Sequence, residues 1–269
     1  MIFPCDSRLP PYNTAATRPV QKGAGLPEGQ GGLRLAINHW STVHAQGYGQ
    51  PHTGPLSIGV SGIGRRLEVA DFLEFPGGSK TATGWGVAID GFIPVIPVSS
   101  LKDRSNALSL TGEFSQGTGI SDMYTDLTGG ALFPTLTNPQ DRQQPTNPPP
   151  VYTQNIDSGI VTFDGNAKLK TIDWQGFMVG FQYYLPVLSG RIWISGNFAR
   201  IKSANIVALT PIPGRPFVYS TSQYYDGNLF VTITDAVQAG YSFQAVQQTF
   251  GDNVKARNYR NEVALHFFF

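Results

Sequence analysis

The sequence has little charge and no long apolar run. Charged residues make up 14% of its 269 residues, whereas about 25% is usual in a soluble protein. The nearest approach to a membrane-spanning helix, residues 92–98, is short and contains two prolines, and such a helix needs about 20 apolar residues. Together with 31 glycines, 11 tyrosines and 17 phenylalanines, these shortages favour a transmembrane β-barrel, whose strands put one face in lipid and the other in water. A secreted β-sandwich is the soluble alternative.

Residues suited to catalysis or metal binding are also scarce. Cys5 is the only cysteine, which excludes an internal disulfide and a cysteine metal cluster. The nearest approach to a nucleophile motif, residues 59–63, has the wrong spacing. The histidines lack the spacing of metal ligands on a strand face; they are His39, His44, His52 and His266. We therefore expect no enzyme, metal or cofactor, and an outer-membrane hydrolase is a minor alternative. A net charge of +1 without a long basic cluster argues against a nucleic-acid partner.

Between Leu33 and the last residue, the sequence contains a series of segments in which apolar and polar residues alternate with period two. A strand sends successive side chains to opposite faces, and each alternating segment has about the length of a tilted spanning strand. The segments lie near 33–44, 56–64, 85–90, 108–115, 176–185, 192–198, 229–234, 239–245 and 259–269. The pattern predicts an all-β, antiparallel transmembrane β-barrel with about nine strands over residues 31–269. Residues 1–30, rich in Pro, Gly and Gln, are predicted to be loop-like.

The predicted connections alternate in length. Short turns at 186–190 and 235–236 fall between long loops at about 116–170 and 202–226. Outer-membrane barrels have short periplasmic turns and long exterior loops, and a soluble sandwich has no reason to sort its loops by side. We therefore expect residues 116–170 to form a long exterior loop.

The last strand has an unusual end. Its apolar face runs to the final residue with an aromatic side chain, interrupted by Asn261. That face consists of Phe269, Phe267, Leu265, Val263 and Tyr259. This ending resembles the terminal strand of Gram-negative outer-membrane porins, and residues 173–269 are similar to the closing strands of that family.

The resemblance implies a location in the bacterial outer membrane, in contact with lipid and lipopolysaccharide. It also implies that the terminal face around Phe269 is the signal read by the barrel-assembly machinery. Porins of this family are usually trimers of sixteen- or eighteen-stranded barrels, so a homotrimer is expected. Their third exterior loop constricts the pore, a role that residues 116–170 could fill.

The strand count carries a further expectation. Single-chain bacterial barrels have an even number of strands and begin in the periplasm, whereas nine strands ending in the periplasm would place residues 1–30 outside the cell. No signal peptide precedes them. We therefore expect the sequence to lack its upstream part and to be the C-terminal portion of a larger barrel. A complete barrel of eight or ten strands is the alternative if one weak segment is miscounted.

Polar residues on the predicted water-facing side indicate the function. The pore-lining candidates are Arg65, Asp90, Glu113, Arg191, Gln244, Arg260, Glu262 and His266. Both charge signs occur, as in a water-filled pore that passes small polar solutes by diffusion. The runner-up is a small closed barrel that acts as an adhesin or structural anchor through its 116–170 loop.

Aromatic residues near the predicted strand ends suggest two interfacial belts. The periplasmic belt would contain Tyr183, Tyr184, Phe267 and Phe269. The exterior belt would contain Phe198, Tyr224, Tyr225, Phe250 and Tyr259.

Overall fold

The structure is a computed structural model that describes residues 28–45, 49–70, 79–124, 159–164, 168–210 and 212–268. Within these ranges the chain is antiparallel β-structure joined by turns and short helices, which confirms the all-β, antiparallel part of the prediction. None of the helices in these ranges is long and apolar enough to span a membrane. The predictions for residues 1–27, for the middle of the 116–170 loop and for Phe269 lie outside the described residues.

Nine strands form one sheet in which each strand pairs with its neighbours along the chain. They are β1 (Gly29–His44), β2 (His52–Ala70), β3 (Ser79–Ile96), β4 (Leu108–Thr118), β7 (Asp173–Tyr184), β8 (Ile192–Ser203), β9 (Tyr219–Thr234), β10 (Val237–Phe250) and β11 (Lys255–Phe267). Between β4 and β7, strands β5 (Val161–Phe163) and β6 (Leu169–Thr171) form a separate two-stranded sheet. The described residues thus contain the nine strands of the predicted sheet and two further short strands that were not predicted.

The sheet has one apolar and one largely polar face, as the alternation requires. Side chains at mid-strand positions on the apolar face are exposed, for example Val60, Val179 and Phe243. We call this the outer face. Their chain neighbours point to the other side, which we call the inner face. In the described part of the chain no second sheet covers these side chains, so they form an apolar surface and not an enclosed core.

The sheet curls toward its inner face. Strand β1 is four positions from β7 in the strand order, yet the Ala45 N–H donates to Gln182 Oε1 at 2.8 Å. The end of β1 also crosses the end of β3, since the Val43 N–H donates to the Val98 carbonyl at 2.9 Å. A register shift between Ile37 and Ser41 precedes this bend, as expected where an irregularity turns a strand. Strands distant in the sheet order are thereby brought around one interior.

One predicted loop is too long. The 202–226 loop ends earlier than expected, because β9 already begins at Tyr219. Residues 220–223 are polar on both faces, so they lack the alternation that marks a strand. The 116–170 loop also contains regular structure, since β4 continues to Thr118 and β5 lies near the end of the loop.

Two tyrosines of the predicted belts belong to the interior. Tyr184 is fully buried, and Tyr224 pairs with Ala199 and Val246 on the inner face. Successive residues of a strand face opposite sides, so only one member of each Tyr-Tyr pair can reach the outer face. Tyr225 does so and is exposed.

Candidate functional site

The candidate site is a half-open cavity of about 910 Å³ on the curled inner face. Its lining comes from strands as far apart in the sheet as β1, which contributes Arg34, and β10, which contributes Gln244. The lining combines small polar side chains such as Ser57 and Ser242 with charged ones such as Asp90 and Asp226. The inner face of the sheet therefore forms a polar wall of the cavity. The register of the strands positions the side chains on this wall.

On one side of the wall, polar side chains are joined from strand to strand. Asn197 donates from Nδ2 to both carboxylate oxygens of Asp226, at 2.9 and 3.0 Å. Asn228 donates to the same carboxylate at 2.6 Å. Farther along the sheet, Glu262 accepts from Gln244 at 3.4 Å and from Arg260 at 3.2 Å. Each carboxylate is thus held in place by neighbouring strands.

The opposite side of the wall carries a mixed charge group. Arg34 forms an ion pair with Asp90 and also donates to Ser57 Oγ at 3.2 Å. Glu113 lies directly across from Asp90 in the register of β3 and β4. Like charges on adjacent strands repel, so Arg34 offsets the repulsion of this acidic pair.

Arg65 fixes a loop against the inner face. Its guanidinium donates to both carboxylate oxygens of Asp122, at 2.6 and 2.7 Å, and to the Gly119 carbonyl at 3.1 Å. Glu28 forms a further ion pair with it at 2.7 Å. A two-pronged arginine–carboxylate contact fixes orientation as well as distance. The turn at residues 119–124 is therefore tied to the wall of the sheet.

Glycines make room for this turn. A Cβ at Gly176 would lie 2.7 Å from a ring carbon of Tyr124, and one at Gly86 would lie 3.0 Å from Ile120 Cδ1. Tyr124 also shares a hydrogen bond of 3.1 Å with Ser115 on the inner face. Burial raises the pKa of the Tyr124 phenol above its ordinary value. The turn narrows the interior beside the polar wall.

Apolar clusters cover the inner face at both ends of the strands. At the end with the short turns, Trp193 stacks on Phe230 with ring centroids 3.9 Å apart and on Tyr184 at 5.5 Å. Val43 and Ala45 of the inward-folded β1 segment pack against these rings. At the other end, Trp174 and Ile206 belong to a second cluster. The polar cavity lies between the two.

The outer face has the layout of a membrane surface. Along β11 its exposed apolar side chains run from Phe267 to Tyr259, a length of about 27 Å along the strand. Near the end away from the short turns, aromatic rings contact one another: Phe177 and Phe198 are 5.6 Å apart, and Phe198 and Tyr225 are 5.0 Å apart. An apolar band bordered by aromatic rings is typical of outer-membrane strands.

The structure brings most of the predicted pore-lining residues to the inner face, in different settings. Asp90, Glu113 and Gln244 line the cavity, and Arg260 and Glu262 continue its wall on β11. Arg65 is buried under the 119–124 turn.

The remaining two candidates lie at the short-turn end. Arg191 is in the turn before β8, where it donates to the Ile233 carbonyl at 3.2 Å. His266 pairs in register with Gln238 on the inner face.

Several important residues of the wall were not singled out from the sequence. Arg34 was detectable from its position between Leu33 and Leu35, which point outward. Asp226 and Asn228 were missed because the polar start of β9 resembles a loop. No group of three or more His, Cys, Asp or Glu side chains in the described part of the chain could hold a metal ion.

Comparison with known proteins identifies the type of fold. It is that of the porin-type outer-membrane β-structures. One solved structure that it resembles is the outer membrane channel DcaP of Acinetobacter baumannii, with a TM-score of 0.55 at 13% sequence identity over 91% of this chain. The aligned region covers 52% of DcaP, so the chain spans about half the length of that channel.

A second solved structure, the NanC porin, aligns with a TM-score of 0.35 at 9% identity, over 90% of this chain and 99% of that one. No protein-family model and no curated protein matches the sequence.

Proposed function

We propose that the sheet forms part of the wall of a water-filled outer-membrane channel through which small polar solutes diffuse without chemical change. The observation that carries the proposal is the contrast between the two faces of one sheet. The inner face lines a half-open cavity of about 910 Å³ with charged and polar side chains, whereas the outer face exposes large apolar side chains on eight of the nine sheet strands and carries half-buried ones on β8. A channel wall needs this combination, because lipid covers one side and water fills the other.

The orientation follows from the turns. The turns at 185–191 and 235–236 lie at one end of the strands, together with the 97–107 connection, and the two longest connections, 119–172 and 204–218, lie at the other end together with the 251–254 turn. Short turns face the periplasm in outer-membrane barrels. We therefore place the short-turn end in the periplasm, with the outer face of β11, including Phe267 and Leu265, available to the barrel-assembly machinery.

The two edges of the sheet support a larger barrel. Strands β1 and β11 stand at opposite ends of the strand order, and their outward N–H and C=O groups need partners in lipid. Nine antiparallel strands leave β1 and β11 running in the same direction. An odd number of additional strands is then required to close an all-antiparallel barrel. We propose that the channel is such a larger barrel and that three copies of it assemble as a homotrimer.

The test is conductance in planar lipid bilayers containing the purified protein. We expect stepwise currents that scale with salt concentration. A protein that inserts into the bilayer but carries no current would contradict the channel.

One observation favours the runner-up, a closed barrel that serves as an adhesin or anchor. Aromatic and aliphatic side chains cover the inner face at both ends of the strands, so a narrow barrel would be blocked. Absence of current together with binding of the protein to host surfaces would support that function instead.

A further inference from the structure

The outer face carries a group of cations at one level of the strands. In the pairing of β8 with β9, Arg200 lies opposite Gln223 and Lys202 opposite Thr221. In the pairing of β10 with β11, Arg257 lies opposite Gln247 and Lys255 opposite Thr249. Strands β9 and β10 place the glutamines together and the threonines together. We call Arg200, Lys202, Lys255 and Arg257 the basic belt.

Hydrogen bonds tie the belt to the strands between its members. Arg257 donates from Nε to Gln247 Oε1 at 2.8 Å, and Gln247 donates in turn to Gln223 Oε1 at 3.3 Å. This series of hydrogen bonds ends at Gln223, beside its register partner Arg200. The side chains at this level are therefore oriented along the surface of the sheet.

Among the described residues, no acidic side chain on the outer face forms an ion pair with the belt. On β7, the outer-face residues that pair with Lys202 and Arg200 are Gln175 and Phe177. The nearest carboxylate on the outer face of β7 is Asp173, the next outer-face residue after Gln175 toward the start of the strand. Within the described residues, Arg200, Lys202 and Lys255 have no ion pair. All four members are exposed. Their positive charge is thus available to a ligand.

The belt borders the apolar band on the side away from the short turns. Along β8, Arg200 and Phe198 are successive residues of the outer face, and along β11 so are Arg257 and Tyr259. Aromatic rings occupy the boundary between hydrocarbon and headgroups. Cations placed just beyond that boundary lie at the depth of lipid phosphates, where they are attracted to anionic headgroups.

We propose that the basic belt binds the phosphorylated headgroup of a glycolipid in the outer leaflet, of the lipid A type. The inference rests on the proposed function, because the orientation places this end of the strands outside the cell. Arg200 and Arg257 are three strand spacings apart, about 14 Å. This spacing allows each arginine, with the lysine next to it on the same face, to contact one of two phosphate groups of a single headgroup. Arginine binds phosphate through paired N–H donors.

The test is lipid binding by the detergent-purified full chain, measured by native mass spectrometry with diphosphoryl lipid A, monophosphoryl lipid A and phosphatidylcholine. We expect at least tenfold tighter binding of diphosphoryl lipid A than of phosphatidylcholine. The R200Q/R257Q variant should lose this preference, and R200K/R257K should retain part of it. The matched control is K168Q/K170Q, which removes two exposed lysines at the same end but outside the nine-stranded sheet, and it should bind like the wild type.

Three outcomes would overturn the proposal. Unchanged lipid preference in R200Q/R257Q would remove the belt as the site, and an equal loss in K168Q/K170Q would reduce the effect to overall charge. Full competition by soluble inositol hexakisphosphate would indicate a soluble polyanion as ligand. If R200Q/R257Q does not fold, K202Q/K255Q provides the same comparison. Conductance of the same samples in phosphatidylcholine bilayers tests the channel separately, so a conducting protein without lipid preference refutes only this inference.

Discussion

Phe243 and Gln244 of β10 are neighbours in the chain but face different surroundings. Phe243 is exposed on the outer face, and Gln244 lines the inner cavity. We expect Phe243→Arg to lower the free energy of unfolding in lipid vesicles by about 2–4 kcal/mol, because a charge near mid-membrane faces hydrocarbon. Gln244→Arg is the matched control and should cost less, since its side chain reaches water and Glu262. Urea titration of both variants measures the difference, and equal losses would contradict the assignment of the two faces.

Arg65 provides a second test at the level of single residues. It is buried and holds Asp122 through two hydrogen bonds, and removing one partner of a buried ion pair costs about 3–5 kcal/mol. Arg65→Gln should therefore destabilise the protein, and it should raise single-channel conductance because the 119–124 turn is released from the inner face. The double variant with Asp122→Asn should cost less than the sum of the two single changes. Strict additivity in unfolding titrations would exclude the contact.

The strands differ in how much the sequence could predict. Strands β7, β8, β10 and β11 alternate clearly, so their existence and faces followed from periodicity alone. The start of β9 did not, since polar residues occupy both of its faces. The inward fold of β1 was also beyond prediction, because it depends on contacts of Val43 and Ala45 with Trp193 and Phe230, which are remote in sequence. Periodicity gives the face of a residue, whereas the site depends on which strands the curl brings together.

The inner wall has more acids than bases. Asp90, Glu113, Asp226 and Glu262 are the acids of the wall described above, and Arg34 and Arg260 are its bases. The two arginines are already paired with acids, so the wall should attract cations. Replacing Glu113 with Gln and Asp226 with Asn together should lower the potassium-to-chloride permeability ratio by about thirtyfold at most, because each charge contributes about 1 kcal/mol at close range and the two together about 2 kcal/mol.

Reversal potentials in a potassium chloride gradient measure this ratio. Asp235→Asn is the control, since that carboxylate lies in an exposed turn at the short-turn end. An unchanged ratio in the double variant, or an equal shift in the control, would show that this wall does not select ions.

For the whole molecule, the decisive question is what pairs with β1 and β11. If the nine strands closed on themselves, these two edges would form a parallel seam, and cysteines at Leu35 and Val263 or at Leu33 and Asn261, which share one parallel register, would come within disulfide range, for which Cβ atoms must lie about 4 Å apart. We expect no such bond in a Cys5→Ser background, because the proposed barrel places other strands at both edges. Cysteines at Leu35 and Ile58 are the positive control, since these residues are register partners in β1 and β2. Oxidation followed by gel electrophoresis reports each bond. A bond between the two edges within one chain, as efficient as the control, would mean that the nine strands form a complete barrel and that its interior is narrow.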